Sequence, residues 1–330
     1  MTHQVSALAA ALVAFMGFTS APASAADSCD RTCLEGHIDK VLDALTSRDP
    51  RSLYFTADAR FTENGQELII GDGFWNTASA RGSYSLYLAD VEAGQAGFIG
   101  TMTENGVPVL LALRLRIEGQ LISEIETLIT RPALGPMDAP SPIPPAAVML
   151  EQRGAPRVTF TQAVSRPASR EDLRASADSY FTSLANNDGR NTPLFTEACL
   201  RLENGMATTR DPALPAPRSL AMENYMESMQ LDCDEQQLSG VFGFVSEIRD
   251  RRFPLIDRER GVVLTFSFFD HSGRDRVVTL SDGSTMPNPV NTPTTLQIAE
   301  LFKIDNGRID QIEAVIIDVP YGMKSAVWDQ

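Results

Sequence analysis

The sequence predicts an α+β protein built from two tandem units, each a helix followed by a run of long antiparallel strands. Three observations predict it. Each half opens on apolar residues at helical spacing. Alternating segments punctuated by Asn-Gly and related turns then follow. The same short motifs also recur in the same order on either side of a proline-rich stretch.

Val5 to Phe18 is an apolar run leading to Ala23-Ser24-Ala25, the small-residue pattern of a signal-peptidase site, so residues 1–25 are expected to be a signal peptide. Its first residues carry no Lys or Arg, which is atypical, and a buried N-terminal helix is the alternative. The first unit is assigned to 26–130. Here Leu34, Ile38, Val41, Leu42 and Leu45 share one helix face, and Asp49-Pro50 stops the helix. Strands are expected at about 84–89, 96–103, 108–117 and 121–129, with Glu104-Asn105-Gly106 and Glu118-Gly119 as hairpin turns. Residues 131–169 hold eight prolines, a density that denies helix and central strand alike, so this is a linker with Val158 to Phe160 as a short edge strand. The second unit, 170–330, repeats the plan. Leu173, Ala177, Tyr180, Phe181 and Leu184 form the helix face, and strands are expected at about 241–249, 262–270, 295–304 and 308–318.

The repeat is ordered. Phe55-Thr56 with Glu63-Asn64-Gly65 matches Phe195-Thr196 with Glu203-Asn204-Gly205 at an offset of 140. Asp90-x-Glu92-x-Gly94 matches Asp257-x-Glu259-x-Gly261 at 167, and Arg116-Ile117-Glu118 matches Lys303-Ile304-Asp305 at 187. Offsets that rise in one direction mean one architecture with longer connections in the second copy, and so an internal duplication.

Composition excludes several classes. With 43 acidic and 28 basic residues the formal charge is -15, which repels phosphate backbones and anionic membrane surfaces. Neither nucleic acid nor a membrane is an expected partner. No glycine-rich phosphate loop, HExxH pair or GxSxG elbow occurs, and no cofactor is expected. Four cysteines in an exported chain favour two disulfides, with three connectivities open. The local pairs Cys29–Cys33 and Cys199–Cys233 are preferred. Their spread and the lack of nearby histidines make a zinc site a weak rival, so no metal is expected. The expected location is periplasmic or secreted.

The order of a helix, then a strand bearing the Phe-Thr…Glu-Asn-Gly pattern, then long strands resembles the nuclear transport factor 2-like (SnoaL-like) superfamily. The runs Ile248 to Gly261, Phe268-Phe269-Asp270-His271 and Asp318 to Met323 are similar to a group of secreted bacterial and fungal proteins. The resemblance implies two cone-shaped domains, each a strongly curved antiparallel sheet wrapped on helices, with a small molecule held at the open end. It also implies that the two domains pack together as an internal pseudo-dimer. The Tyr–Asp set of ketosteroid isomerases and the Asp–Arg–Asp set of limonene-epoxide hydrolases have no counterpart here, so neither activity carries over.

Candidate chemistry concentrates in the second unit. Glu300 lies between Ile298 and Phe302 on one strand face, where burial raises a carboxyl pKa toward general-base range. The repeat places Leu113 at its position in the first copy, which makes Glu300 a better functional suspect than Glu313, whose counterpart is Glu126. His271 is the second unit's sole histidine and so a candidate proton carrier, although it also fits an ordinary hairpin corner; Asp270 points to the opposite face. His37 is expected on a solvated helix face. In Arg249-Asp250-Arg251-Arg252 one alternating pair could meet a ligand while the other joins an ion-pair network with Asp257 or Glu259. Arg251 is the candidate near the mouth, with Tyr321 in its Pro-Tyr-Gly turn, and Phe266, Phe268 and Phe302 are the candidate lining. The expected function is a cofactor-free isomerase, lyase, hydratase or cyclase acting by proton transfer on a small apolar or aromatic organic molecule. The alternative is a noncatalytic binding or interaction protein.

Overall fold

The computed structural model describes residues 29–132, 144–190, 192–210 and 225–328. The expected signal segment 1–25 and part of the linker lie outside them. Helix α1 (Arg31–Ser47) starts at Asp30, whose side chain accepts from the Cys33 amide, and ends at Arg48 in the left-handed conformation. It is followed by β1 (Phe55–Glu63), β2 (Gln66–Leu68), β3 (Ala78–Asp90), β4 (Gln95–Glu104), β5 (Val107–Glu118) and β6 (Leu121–Thr130). Short helices α2 (Ala146–Gln152) and α3 (Val158–Thr161) lead to α4 (Arg170–Asn186), β7 (Phe195–Glu203) and β8 (Met206–Ala207). Then come α5 (Cys233–Ser239), β9 (Glu247–Asp257), β10 (Val262–His271), β11 (Val277–Thr279), β12 (Thr285–Pro287), β13 (Thr294–Asp305) and β14 (Arg308–Val319).

The strands form two six-stranded sheets of the same order, β2-β1-β6-β5-β4-β3 and β8-β7-β14-β13-β10-β9, besides the small β11–β12 hairpin. The fold is therefore α+β in two tandem units, as expected. The sheets are mixed rather than antiparallel, because β1 returns to lie parallel to β6 and β7 parallel to β14. Asn64-Gly65, Asn105-Gly106, Asn204-Gly205 and Asn306-Gly307 all have positive φ at both positions, the backbone of a two-residue type I′ hairpin.

Three expectations need correction. Val158 to Phe160 lies in helix α3, not an edge strand, and α2 and α3 put Ala147, Leu150 and Phe160 into the core shared by the two sheets. The linker thus contains docked helices. At Gly205 a Cβ would come within 2.7 Å of the Leu150 amide nitrogen, so glycine lets α2 approach the second unit's turn. The strand expected at 241–249 begins at Glu247 and runs to Asp257, taking in the arginine run and Pro254. It is an edge strand, where charge and proline are tolerated, and its register shifts twice against β10. His37 is buried at 6 % exposure beside the Cys29–Cys33 disulfide, not on a solvated face.

Alternation along the strands sends side chains into two different cores. One face of each sheet packs on its own helix: Leu34, Ile38, Val41 and Leu42 of α1 meet Phe61, Phe98, Leu111 and Leu113. In the second unit, Leu173, Ala177 and Phe181 of α4 meet Val263, Phe269, Ile298 and Phe302. The opposite faces pack on each other through Leu86, Ile99 and Ala112 on one side and Leu264, Phe266 and Leu301 on the other.

The contacts between the units are reciprocal at the motif that the repeat singled out. Asp90 accepts two bonds from Arg170 at the start of α4, both 2.7 Å, and one from the Ile256 amide. Asp257 accepts from Arg31 at the start of α1, at 2.7 and 2.9 Å, and from the Ala89 amide. Each aspartate thus takes the other unit's leading arginine, the pattern of an isologous interface.

Tyr84 also crosses between the sheets, donating to Glu313 Oε2 at 2.8 Å. Burial pushes the Glu313 carboxyl up to about 7, against the Tyr84 hydrogen bond and the Arg153 charge, and its other oxygen has no partner among the described residues. Replacing Tyr84 by Phe leaves both carboxyl oxygens unmatched, so urea unfolding should show a loss of about 1–3 kcal/mol; a change within error would show that the bond adds nothing.

Both expected disulfides are formed, Cys29–Cys33 and Cys199–Cys233. The second ties β7 to α5 across 34 residues. By loop-closure entropy it stabilises the second unit by about 3–4 kcal/mol, whereas the four-residue Cys29–Cys33 loop contributes less. Thermal unfolding of Cys199→Ala/Cys233→Ala against Cys29→Ala/Cys33→Ala checks this ranking.

Candidate functional site

The inner core of the second unit is not fully apolar. A cavity of about 60 Å³ is lined by Tyr180 and Leu184 of α4, Arg201 and Glu203 of β7, the aromatics Tyr225, Phe242 and Phe244, and Phe269, His271, Ile298 and Glu300 from the sheet. Its polar groups enter because β7 and β13 each turn a charged residue onto the helix-facing side. Arg201 is 3 % exposed and Glu300 is 3 % exposed.

Register shows what these residues replace. Arg201 sits opposite Ile312, and in the first unit Phe61 sits opposite Ile125, the residue related by the 187 offset. Glu300 pairs with Ala314 and Thr265, where Leu113 pairs with Thr127 and Phe98. Phe61, Phe98 and Leu113 are buried in the first core, where Phe61 packs edge-on against Trp75 at 6.3 Å. Three packing residues of one core are thus an arginine, a threonine and a glutamate in the other.

Arg201 is held by its own neighbours. Its Nε donates to Thr208 Oγ1 at 2.8 Å and lies 3.4 Å from Glu203, Nη1 reaches the Tyr180 hydroxyl at 3.4 Å, and the guanidinium stacks 4.7 Å above Phe242. Among the described residues Nη2 is buried without a partner, and so is Glu300 Oε2. Burial and the Glu203 charge push the Glu300 carboxyl up to about 8, with Arg201 opposing, so the group is predominantly protonated at neutral pH. Burial, reinforced by Glu300, likewise raises Tyr180, so its hydroxyl keeps its proton. The cavity therefore presents a neutral carboxyl and a cationic donor, both with an atom unmatched among the described residues.

His271 lines the same cavity at the other end. On β10 it is six residues from Thr265, the partner of Glu300, which is about 20 Å along an extended strand. Its ring stacks on Phe244 at 5.7 Å, its Nδ1 is buried without a partner among the described residues, and burial lowers its pKa against the pull of Asp270 and Asp318. Asp270 points away from it, as alternation requires, and takes Arg249 and Thr295 instead. Glu300 and His271 share a cavity, and no hydrogen bond joins them among the described residues.

The remaining candidates are dispersed. Phe302 lies beneath the cavity, packed on Tyr180 and Phe181 at 5.2 and 5.4 Å. Phe266 and Phe268 have the opposite parity on β10 from Val263 and Phe269: Phe266 packs between the sheets and Phe268 lies under Arg249. They do not line the second cone. Arg251 pairs with Asp178 and Thr182 on α4, outside the cavity. Tyr321 is 51 % exposed and also outside it. Of the expected ion-pair network, Arg252 binds Glu126 of the first unit, and Asp257 takes Arg31 rather than an arginine of its own run. Arg201, Glu203 and Tyr180 were not singled out by the sequence reading, although the 140 offset that sets Arg201 against Phe61 was present in it. Among the described residues the cluster Cys29, Cys33 and His37 has metal-like spacing, but its two sulfurs are bonded to each other.

Residues 166–316 match the family described as "Domain of unknown function (DUF8021)". No curated protein matches the chain. Among solved structures the chain is similar to AusH from Aspergillus nidulans, at 12% identity and a TM-score of 0.27, over 46% of this chain and 87% of that one. It is also similar to an NTF2-like protein from Cytophaga hutchinsonii, at 11% identity and a TM-score of 0.26, over 46% of this chain and 99% of that one. Neither likeness bears on the chemistry of the cavity, and the two-unit α+β architecture rests on the chain's own strand order.

Proposed function

We propose that this chain is an exported, cofactor-independent enzyme that moves protons on a small organic molecule in the second cone, and that the first cone is its packed, inactive duplicate. The observation that carries the reading is the exchange of Phe61 and Leu113 for Arg201 and Glu300 at matching register positions, with an unmatched polar atom on each. A buried acid with an unmatched oxygen costs stability, and a fold retains it where it has work to do. Two disulfides suit an oxidising compartment.

The chemistry follows from the donors. A carbonyl oxygen entering the cavity beside these two residues accepts from Arg201 Nη2 and from the protonated Glu300. As the bond to carbon is polarised, Glu300 delivers its proton to that oxygen. Glu203, ion-paired with Arg201 and lining the same cavity, is the carboxylate placed to take one from carbon. The volume limits the bound portion to a few heavy atoms, well below the roughly 300–1,000 Å³ of drug-sized sites, so a larger substrate would enter by its reactive end. His271 and Phe244 form the opposite end and contact the rest of such a molecule.

The test is deuterium uptake from heavy water, α to the carbonyl of small ketones and enones, followed by proton NMR. The wild type should accelerate exchange, and Glu300→Gln should lose about 10²–10⁴-fold of that rate while melting cooperatively. Saturable binding with no exchange for any ketone would favour the noncatalytic binder instead.

A further inference from the structure

We propose that the cleft between the two units is a second binding site, separate from the cone, and that it takes a small aromatic carboxylate. The cleft has a volume of about 510 Å³, within the range of small-molecule sites, and lies at a domain junction, where such sites concentrate. Arg114 and Arg116 enter it from the first unit, and Arg174, Arg252 and Phe253 from the second; Trp328 closes it.

Its inner end is neutralised, and its outer end only in part. Arg114, 2 % exposed, binds Glu124 at 2.6 Å and Glu126 at 2.8 Å, and Arg252 also binds Glu126. These pairs form a rigid floor. Toward the opening, Arg116 is half-exposed and pairs with Glu118 at 2.9 Å and with Glu124, which it shares with Arg114, at 3.4 Å. Arg174 is exposed and makes no ion pair among the described residues. Among the described residues Glu124 is the single acid lining the cleft, against six arginines. Guanidinium forks match a carboxylate in two-bond geometry.

The aromatic part of the ligand is read from the walls. Arg114 lies 4.8 Å over the Trp328 ring and Arg174 lies 5.2 Å over the Phe253 ring. Each ring thus carries a cation beside an apolar surface that Pro254 and Val327 extend. A ring that meets these surfaces brings its carboxylate to Arg174 and Arg116. The chain's charge of -15 opposes long anionic polymers, so a single small anion held by local geometry fits better than a nucleic acid or polyphosphate.

The experiment titrates the full chain with sodium benzoate, using fluorescence of Trp328 in a Trp75→Phe background, with benzyl alcohol and inorganic phosphate as controls. Saturable change with benzoate, weakened at least 10-fold in Arg174→Gln/Arg116→Gln at an unchanged melting temperature, is the expected result. Benzyl alcohol should give no saturation, and phosphate should compete weakly. The proposal is overturned if benzoate does not saturate, if benzyl alcohol binds as tightly, or if phosphate competes equally. It is also overturned if benzoate binding survives the arginine changes and is lost in Glu300→Gln, which would place the ligand in the cone.

Discussion

Glu300→Leu, which installs the first unit's residue, should raise stability at pH 8 by about 1–3 kcal/mol, because it removes a buried carboxyl with an unmatched oxygen. The pH dependence should change with it. In the folded chain the Glu300 carboxyl lies at about 8, above its ordinary 4.5. Between those values the unfolded chain gives up the proton while the folded chain holds it. The contribution to stability is therefore complete below about 4.5 and lost progressively as pH rises to about 8. Glu313, at about 7, acts in the same direction over a narrower window. Thermal melts across pH 5 to 9 should thus fall less steeply with pH in Glu300→Leu than in the wild type, with the Glu313 part remaining. An identical slope in the two proteins would mean that Glu300 does not titrate in this range.

Arg201→Met should be the most damaging single change in the second cone, at about 3–5 kcal/mol by denaturant unfolding. It removes the cation that faces Glu203 and Glu300, and it leaves Thr208 and Tyr180 without their donor. Combined with Glu300→Leu, the loss should shrink by more than the two effects added separately, because part of the damage is the acid left behind. That coupling is read from a double-mutant cycle. Additive effects would mean that the two residues do not sense each other.

Much of the fold was legible because it is written in local patterns. The helix faces of α1 and α4, the Asn-Gly turns and the ordered offsets all come from neighbours close in sequence, and each sits where its pattern placed it. The parallel pairing of β1 with β6 was not legible, since no local pattern in a strand records which partner it meets. The proline-rich linker misled for a related reason. Helices α2 and α3 are stabilised by contacts to both sheets and not by their own propensity. Within the site, the repeat sets Glu300 against Leu113 at an offset of 187 and Arg201 against Phe61 at 140, so both exchanges are written in the sequence. Parity along β10 was the other gap: Phe266 and Phe268 look like pocket lining until the register of β10 on β13 fixes which face they occupy.

The central claim is that the second cone, unlike the first, holds a neutral buried acid at physiological pH. Carbon-13 NMR of glutamate side-chain carboxyls, with Glu300→Leu used to assign the resonance, measures it directly. The Glu300 carboxyl should titrate near pH 8, and its resonance should be absent from the variant. A Glu300 carboxyl already ionised at pH 6, titrating near the ordinary 4.5, would contradict it.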